Sequence, residues 1–97
     1  MTKVVISILD KGAGFFSPPT YMRSIGEATR SFIDHVADES GVINKHPEQF
    51  VLYKLGEFDD NTGEFVELEP EPLMKAVDCL DVGRASSSEQ VADKETA

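Results

Sequence analysis

Two strand-like runs on either side of a turn sequence, in residues 49–68, limit the possible fold most. Residues 49–58 are dense in aromatic and β-branched side chains, residues 59–63 favour a tight turn, and residues 64–68 form the second strand-like run. Two such runs joined by a short turn predict a β-hairpin in which Phe65 and Val66 pair across from Phe58 and Leu55. The chain is therefore expected to contain an antiparallel sheet.

The turn sequence also has the opening spacing of a calcium-binding loop, in Asp59, Asn61 and Gly63. Such a loop needs a glycine at its sixth position and a bidentate glutamate at its twelfth, where this chain has Glu64 and Pro70. We therefore predict a hairpin turn here, and we expect no metal and no cofactor in the protein.

Two strands are predicted before the hairpin. Residues 4–9 form a β-branched, apolar run, which is typical of a buried strand. After a glycine-containing loop, Pro18 and Pro19 direct the chain into an extended segment at residues 20–23, which we predict to be an edge strand.

The spacing of Ser24 and Glu27 predicts the start of a helix. It is that of a capping box, in which the serine side chain caps the Glu27 amide and the glutamate bonds to the serine amide. The helix is expected to fray within residues 37–40, before Gly41. Apolar residues at three- and four-residue intervals would face the sheet: Ile25, Ala28, Phe32, Ile33 and Val36.

Beyond the hairpin, Pro70 and Pro72 are expected to end its second strand, because proline cannot donate a hydrogen bond to a central ladder. The mixed apolar spacing of residues 73–80 fits a short helix or a docked extended segment, and we favour the helix. Residues 83–97 have the composition of a disordered acidic tail. The predicted fold is α+β, with one domain (residues 1–82) whose small, mainly antiparallel sheet of three to four strands carries one main helix on one face.

Charge is distributed unevenly along the chain, whose net charge is −9. Residues 1–54 contain six acids and six bases, whereas residues 55–97 contain twelve acids and three bases. A polyanionic partner would therefore have to bind to the neutral half.

No catalytic constellation is evident. His35 and His46 lack a serine, cysteine or carboxylate at a partner spacing, and Cys79 is the one cysteine of the chain, so it cannot form an internal disulfide. No apolar run approaches the roughly 18 residues that span a bilayer. We expect a cytosolic protein that is not an enzyme and does not insert into a membrane.

Cations and aromatic residues lie close together in the neutral half, as expected for a surface that binds single-stranded nucleic acid. The candidate nucleic-acid-binding residues are Lys11, Phe15, Phe16, Tyr21, Arg23 and Arg30. The alternative, which the small size of the domain favours, is that one or both of the adjacent phenylalanines enter the core.

Three segments resemble the small non-structural protein of gokushovirus-type microviruses, which are phages with single-stranded DNA. They are residues 17–19, residues 26–32 with the pattern A-x-R-x-F, and residues 46–63 with the pattern L-Y-x-L-G-x-F-D-x-x-T-G. The resemblance covers residues 4–73. It implies a phage protein that acts in the infected bacterial cytoplasm, outside the capsid, and that binds DNA or assists genome replication.

Two functional hypotheses follow. In the first, the protein assists genome replication by weak, sequence-independent binding of single-stranded DNA. In the second, it is an acidic adaptor that binds a phage or host replication protein and does not contact DNA. A homodimer is also plausible, because exposed strand edges often pair across a two-fold axis.

Overall fold

A computed structural model describes residues 1–80, which form a sheet covered on one face by helices. A helix that begins at Ala76 continues to the last described residue, Leu80. The elements in chain order are β1 (Thr2–Asp10), β2 (Phe15–Phe16), β3 (Thr20–Met22), α1 (Ile25–Ala37), α2 (Val42–Lys45), a 3₁₀ turn (Pro47–Gln49), β4 (Phe50–Asp59) and β5 (Phe65–Lys75).

Every strand pairing in the sheet is antiparallel, and β1 and β4 are its central strands. β5 pairs with the outer side of β4, and β2 and β3 both pair with the outer side of β1. β3 aligns with Val4–Ile6 of β1, and β2 aligns with Leu9 and Asp10, so the two short strands follow each other along one edge. The predicted α+β fold with an antiparallel sheet and one main helix is confirmed.

The start of α1 differs in one detail from the predicted capping box. The Ser24 side chain accepts a hydrogen bond from the Glu27 amide at 3.0 Å, as predicted. The Glu27 carboxylate, however, accepts from the amide of Arg23 at 3.0 Å instead of from the amide of Ser24. The helix ends at Ala37, at the start of the predicted fraying region.

A single buried cluster joins α1 to one face of the sheet. Phe32, at 1% exposure, lies at its centre, and burial of a side chain of this kind stabilises a fold by about 1.5–3 kcal/mol. Ile25 is 39% exposed, so the apolar stripe of α1 that packs against the sheet is narrower than predicted. The buried members of the cluster are Val4, Ile6, Ala28, Phe32, Val36, Phe50, Leu52, Ala76 and Cys79.

Strand β5 is much longer than the sequence indicated. Pro70 and Pro72 were expected to end it, but it continues to Lys75, and the last helix begins only at Ala76. That expectation was wrong because β5 is an edge strand, where a missing N–H can face solvent instead of breaking a ladder. The predicted acidic tail, residues 83–97, and the predicted domain boundary at residue 82 lie outside the described residues.

Candidate functional site

The sheet face opposite α1 carries a group of aromatic side chains. Paired residues of an antiparallel ladder project to the same face, and successive residues project to opposite faces. Val4 and Ile6 contact the core, so Val5 and Ser7 face the other way, together with their cross-strand partners. We call the rings on this side the aromatic face, which consists of Phe16, Tyr21, Tyr53, Phe58 and Phe65.

The rings of the aromatic face form two groups. Phe16 and Tyr53 meet edge to face, with ring centroids 5.2 Å apart. Phe58 packs against Phe65 at 4.8 Å and against Tyr21 at 5.6 Å. Leu9 and Lys3, the β1 partners of Phe16 and Phe58, are six residues apart, which places these two rings about 20 Å apart along the strand. The partners of Tyr53 and Tyr21, which are Ser7 and Val5, are two residues apart, or about 7 Å.

Three rings of the aromatic face are exposed to solvent, and Tyr53 and Phe58 are half-buried. Phe16 is 39% exposed, Tyr21 46% and Phe65 65%, whereas Val5 beneath them is 8% exposed. The chain has six phenylalanines, two tyrosines and no tryptophan, yet only Phe32 and Phe50 belong to the buried cluster. A small domain that keeps most of its aromatic rings outside its core has them available for binding flat or apolar groups.

The expectation that Phe15 or Phe16 enters the core is wrong. Phe16 pairs with Leu9 and belongs to the aromatic face. Phe15 pairs with Asp10 on the other side of β2 and is 65% exposed. The two neighbouring phenylalanines therefore point to opposite sides, as successive residues of a strand do.

A β-bulge in β4 brings Tyr53 and Phe58 to the same face. Ile6 pairs with Lys54 and the preceding Val5 pairs with Gly56, so Leu55 is an extra residue in β4. Without this extra residue, simple alternation would put Tyr53 and Phe58 on opposite faces. Sequence analysis missed Tyr53, Phe58 and Phe65 as site residues for this reason. The pairing of Phe58 with Phe65 was predicted correctly, but Val66 pairs with Glu57 and not with Leu55, because Leu55 is the extra residue of the bulge.

Gly56 makes this bulge possible. A Cβ atom at this position would lie well inside 3.0 Å of the Val66 carbonyl oxygen, so the backbones of β4 and β5 approach too closely for any side chain here.

Two lysines flank the Phe16–Tyr53 end of the aromatic face. Lys11 is exposed in the turn between β1 and β2, beside Phe16. Lys75 pairs with Val51, which pairs with Leu9, the partner of Phe16. Three strand spacings of about 4.8 Å separate Phe16 from Lys75 on this face. Sequence analysis did not select Lys75, because only the register of β5 places it here.

The structure does not bring the predicted cations together. Lys11 directly follows the C-terminal end of β1, whereas Arg23 follows β3, whose last residue pairs with Val4 near the other end of β1. Arg30 is exposed on α1, which covers the other face of the sheet. Of the six predicted residues, Lys11, Phe16 and Tyr21 therefore lie on or beside the aromatic face, and Phe15 lies next to it in β2.

Arg23 is engaged in an ion pair with Glu27. Its guanidinium nitrogens lie 3.1 and 3.2 Å from the glutamate Oε2. The hydrogen bonds from the Arg23 amide and then from its side chain lower the pKa of Glu27 below its usual value. The pair is largely exposed, so its contribution to stability is small.

The other end of the aromatic face is acidic. Residues 57–71 contain seven acids and no Lys, Arg or His. Lys54 pairs with Glu57 at 3.1 Å, and the Met1 ammonium hydrogen-bonds Asp60 and lowers its pKa. Four exposed glutamates of β5 and its turn have no ion-pair partner within residues 1–80: Glu64, Glu67, Glu69 and Glu71.

The described chain offers little for metal or thiol chemistry. Within residues 1–80, no group of three or more His, Cys, Asp or Glu side chains is placed to hold a metal ion. Cys79 is 2% exposed in the core, and burial, together with the charge of Asp78, raises the pKa of its thiol. No helix in this part of the chain has the length and apolar character needed to cross a membrane.

The sequence matches the model of the Phage ORF5 protein family over residues 3–79. Searches of curated proteins and of solved structures gave no significant match. The family match covers most of the 97 residues, including every strand of the sheet and α1. The chain therefore belongs to the Phage ORF5 protein family and is a bacteriophage protein.

Proposed function

We propose that this phage protein assists genome replication in the infected bacterial cytoplasm by binding single-stranded DNA without sequence preference. The observation that carries the proposal is the solvent-exposed aromatic face, and in particular its Phe16–Tyr53 end. Every base has a flat ring that can stack on an aromatic side chain, so such a surface accepts any sequence. The resemblance to the non-structural protein of gokushovirus-type microviruses supports the same role.

Bases would stack at the Phe16–Tyr53 end of the face, where the nearby charges favour DNA. Lys11 and Lys75 flank this end and are placed to contact phosphates, whereas Glu64 and Glu67 at the other end repel them. Stacking then supplies most of the affinity, and electrostatic attraction supplies little, in agreement with the net charge of −9.

A direct test uses the two tyrosines of the protein. The chain contains no tryptophan, and Tyr21 and Tyr53 both belong to the aromatic face, so the intrinsic fluorescence reports on this surface alone. Titration with an oligothymidylate of about 12 nucleotides is expected to quench this fluorescence and to raise the polarisation of a labelled oligonucleotide. An unlabelled duplex of the same length is the control and should compete poorly.

Salt dependence separates this proposal from the adaptor hypothesis. Two phosphate contacts predict a slope of about −1.4 in a plot of log affinity against log salt concentration, since each contact on a single strand contributes about −0.7. An adaptor that does not contact DNA would show neither quenching nor polarisation change at any salt concentration. That result at low salt would refute single-stranded DNA binding.

A further inference from the structure

The first half of β5 is an apolar strand that no described element covers on its outer side. In β5, Phe65 is 65% exposed, Val66 51% and Leu68 37%. Phe65 and Val66 are successive residues, so apolar surface is open on both faces of the strand. The strand is also the edge of the sheet, because its pairing within residues 1–80 is with β4 alone.

An edge strand presents a row of free backbone N–H and C=O groups, to which another extended chain can add as a further strand. Pro70 and Pro72 lack the N–H group and limit the available edge to residues 65–69. Phe65, Val66 and Glu67 pair in unbroken register with β4, and the register shifts between Glu67 and Glu71. The regular part of the edge therefore begins at Phe65 and includes at least these three residues.

The charges around this edge indicate the chemistry of the occupant. Glu64, Glu67, Glu69 and Glu71 are exposed without an ion-pair partner in the described part of the chain. A second copy of β5 would bring these carboxylates against each other, and a DNA strand would bring phosphates against them. A basic polypeptide would neutralise them.

We propose that residues 65–69 of β5 bind an extended, basic segment of another protein, which adds to the sheet as a strand. Its apolar residues contact Phe65 and Leu68 on the two faces of the sheet, and its lysines or arginines pair with the glutamates. The site lies at the opposite end of the aromatic face from the proposed DNA-binding end, so the two ligands can bind together.

The test uses a fluorescein-labelled peptide in which pairs of lysines alternate with pairs of valines, so that both faces of the added strand carry both residue types, with polarisation as the readout. A matched peptide with proline in place of a central valine cannot complete the ladder and is expected to bind at least about tenfold more weakly. Amide chemical-shift changes are expected to concentrate in residues 64–69.

Two pairs of variants distinguish binding at the β5 edge from nonspecific effects of exposed apolar surface or net charge. The exposed side chains of Phe65 and Phe15 have the same 65% exposure, so Phe65→Ser should abolish peptide binding and Phe15→Ser should leave it within about twofold. The triple reversal of Glu67, Glu69 and Glu71 to lysine should likewise abolish binding. The control, which reverses Asp34, Glu39 and Glu48, makes the same change in net charge on exposed residues outside the hairpin.

Several results would overturn the proposal. Absence of binding to the wild-type protein would do so, as would an equal loss in both triple variants, which would show that binding follows net charge. If oligothymidylate displaced the peptide from the protein, the edge would be a DNA-binding site instead. Sedimentation that shows a dimer dissociated by Phe65→Ser would assign it to a second copy of the chain. DNA binding is tested independently of β5 by polarisation of a labelled oligonucleotide with Phe16→Ala and Tyr53→Ala, so either proposal can fail without the other.

Discussion

Phe16 on β2 and Tyr53 on β4 contact each other across β1, with their ring planes at 85° and their centroids 5.2 Å apart. Edge-to-face pairs of this kind contribute about 0.5–1.5 kcal/mol beyond the area that they bury. The contact joins strands on the two sides of β1, so the proposed stacking surface is also part of the hydrogen-bonded sheet.

Replacing either ring with alanine should weaken binding of single-stranded DNA. Loss of one base-stacking contact costs about 1–3 kcal/mol, which corresponds to a reduction of about 5- to 150-fold for Phe16→Ala or Tyr53→Ala. Polarisation of a labelled oligothymidylate measures this. Val42→Ala removes an apolar side chain of α2 with 59% exposure and serves as the control, for which an unchanged affinity is expected.

Removal of the arginine on α1 should have little effect on DNA binding. Arg30 lies in the helical layer, on the other side of the sheet from the aromatic face, so Arg30→Ala is expected to change the affinity for DNA by less than about twofold. Lys11→Ala, in contrast, should reduce the slope of log affinity against log salt concentration by about 0.7. A large loss of DNA affinity in Arg30→Ala would show that DNA contacts the helical layer, as the candidate residues selected from the sequence imply.

Two glycine-to-alanine substitutions should have opposite effects on stability. In Gly56→Ala the new methyl group would clash with the Val66 carbonyl oxygen, and we expect a loss of about 1–3 kcal/mol in the free energy of unfolding. In Gly26→Ala, in the first turn of α1, the nearest atom is the Ser24 Oγ at 3.8 Å, and a gain of about 0.4–1 kcal/mol is expected. Urea denaturation of both variants would reveal the difference, and a neutral Gly56→Ala would contradict the close approach of β4 and β5.

Acidification should destabilise the protein partly through Glu27. Its pKa is lower in the folded state than the ordinary value of 4.5, so the unfolded chain binds more protons as the pH falls below this value. The stabilisation is complete above pH 4.5 and is lost as the pH falls through the folded-state pKa. Denaturation measured from neutral pH to about pH 3 should show a shallower decline for Glu27→Gln than for the wild type. Asp34→Asn, an exposed change on the same helix, provides the comparison and should follow the wild-type curve.

The thiol of Cys79 should react only when the structure opens. The side chain is 2% exposed and its pKa is raised, so both access and the thiolate fraction are low in the folded state. Labelling with an aromatic disulfide reagent at pH about 8 should be slow in buffer and fast in denaturant. Phe32→Ala, which removes the central ring of the same cluster, should accelerate labelling, whereas the exposed change Phe15→Ala should not.

Local chemistry was sufficient to predict the hairpin and the start of the helix. The turn residues of the hairpin and the cap from Ser24 to Glu27 each act within a few residues, so their sequence signals are strong. The extent of β5 was not predictable in the same way, because whether Pro70 and Pro72 end a strand depends on its position in the sheet.

The binding surface depended on long-range geometry. The bulge at Leu55 changes which face Phe58 occupies, and only the pairing of β5 with β4 places Lys75 opposite Val51. Lys11, Arg23 and Arg30 are close in sequence, but two strand ends and a helix separate them in space. Proximity along the chain was therefore a poor guide to proximity on the surface.

The two edges of the sheet differ in the length of continuous strand with which another chain could pair. On the β1 side the edge consists of two short strands interrupted by Pro18 and Pro19, and on the other side Pro70 and Pro72 shorten it. A partner that adds to β5 thus finds no equivalent continuous strand on the far side from which the sheet could extend further. Complexes built on this sheet should therefore have one partner strand per molecule and should not grow into filaments, even at high protein concentration.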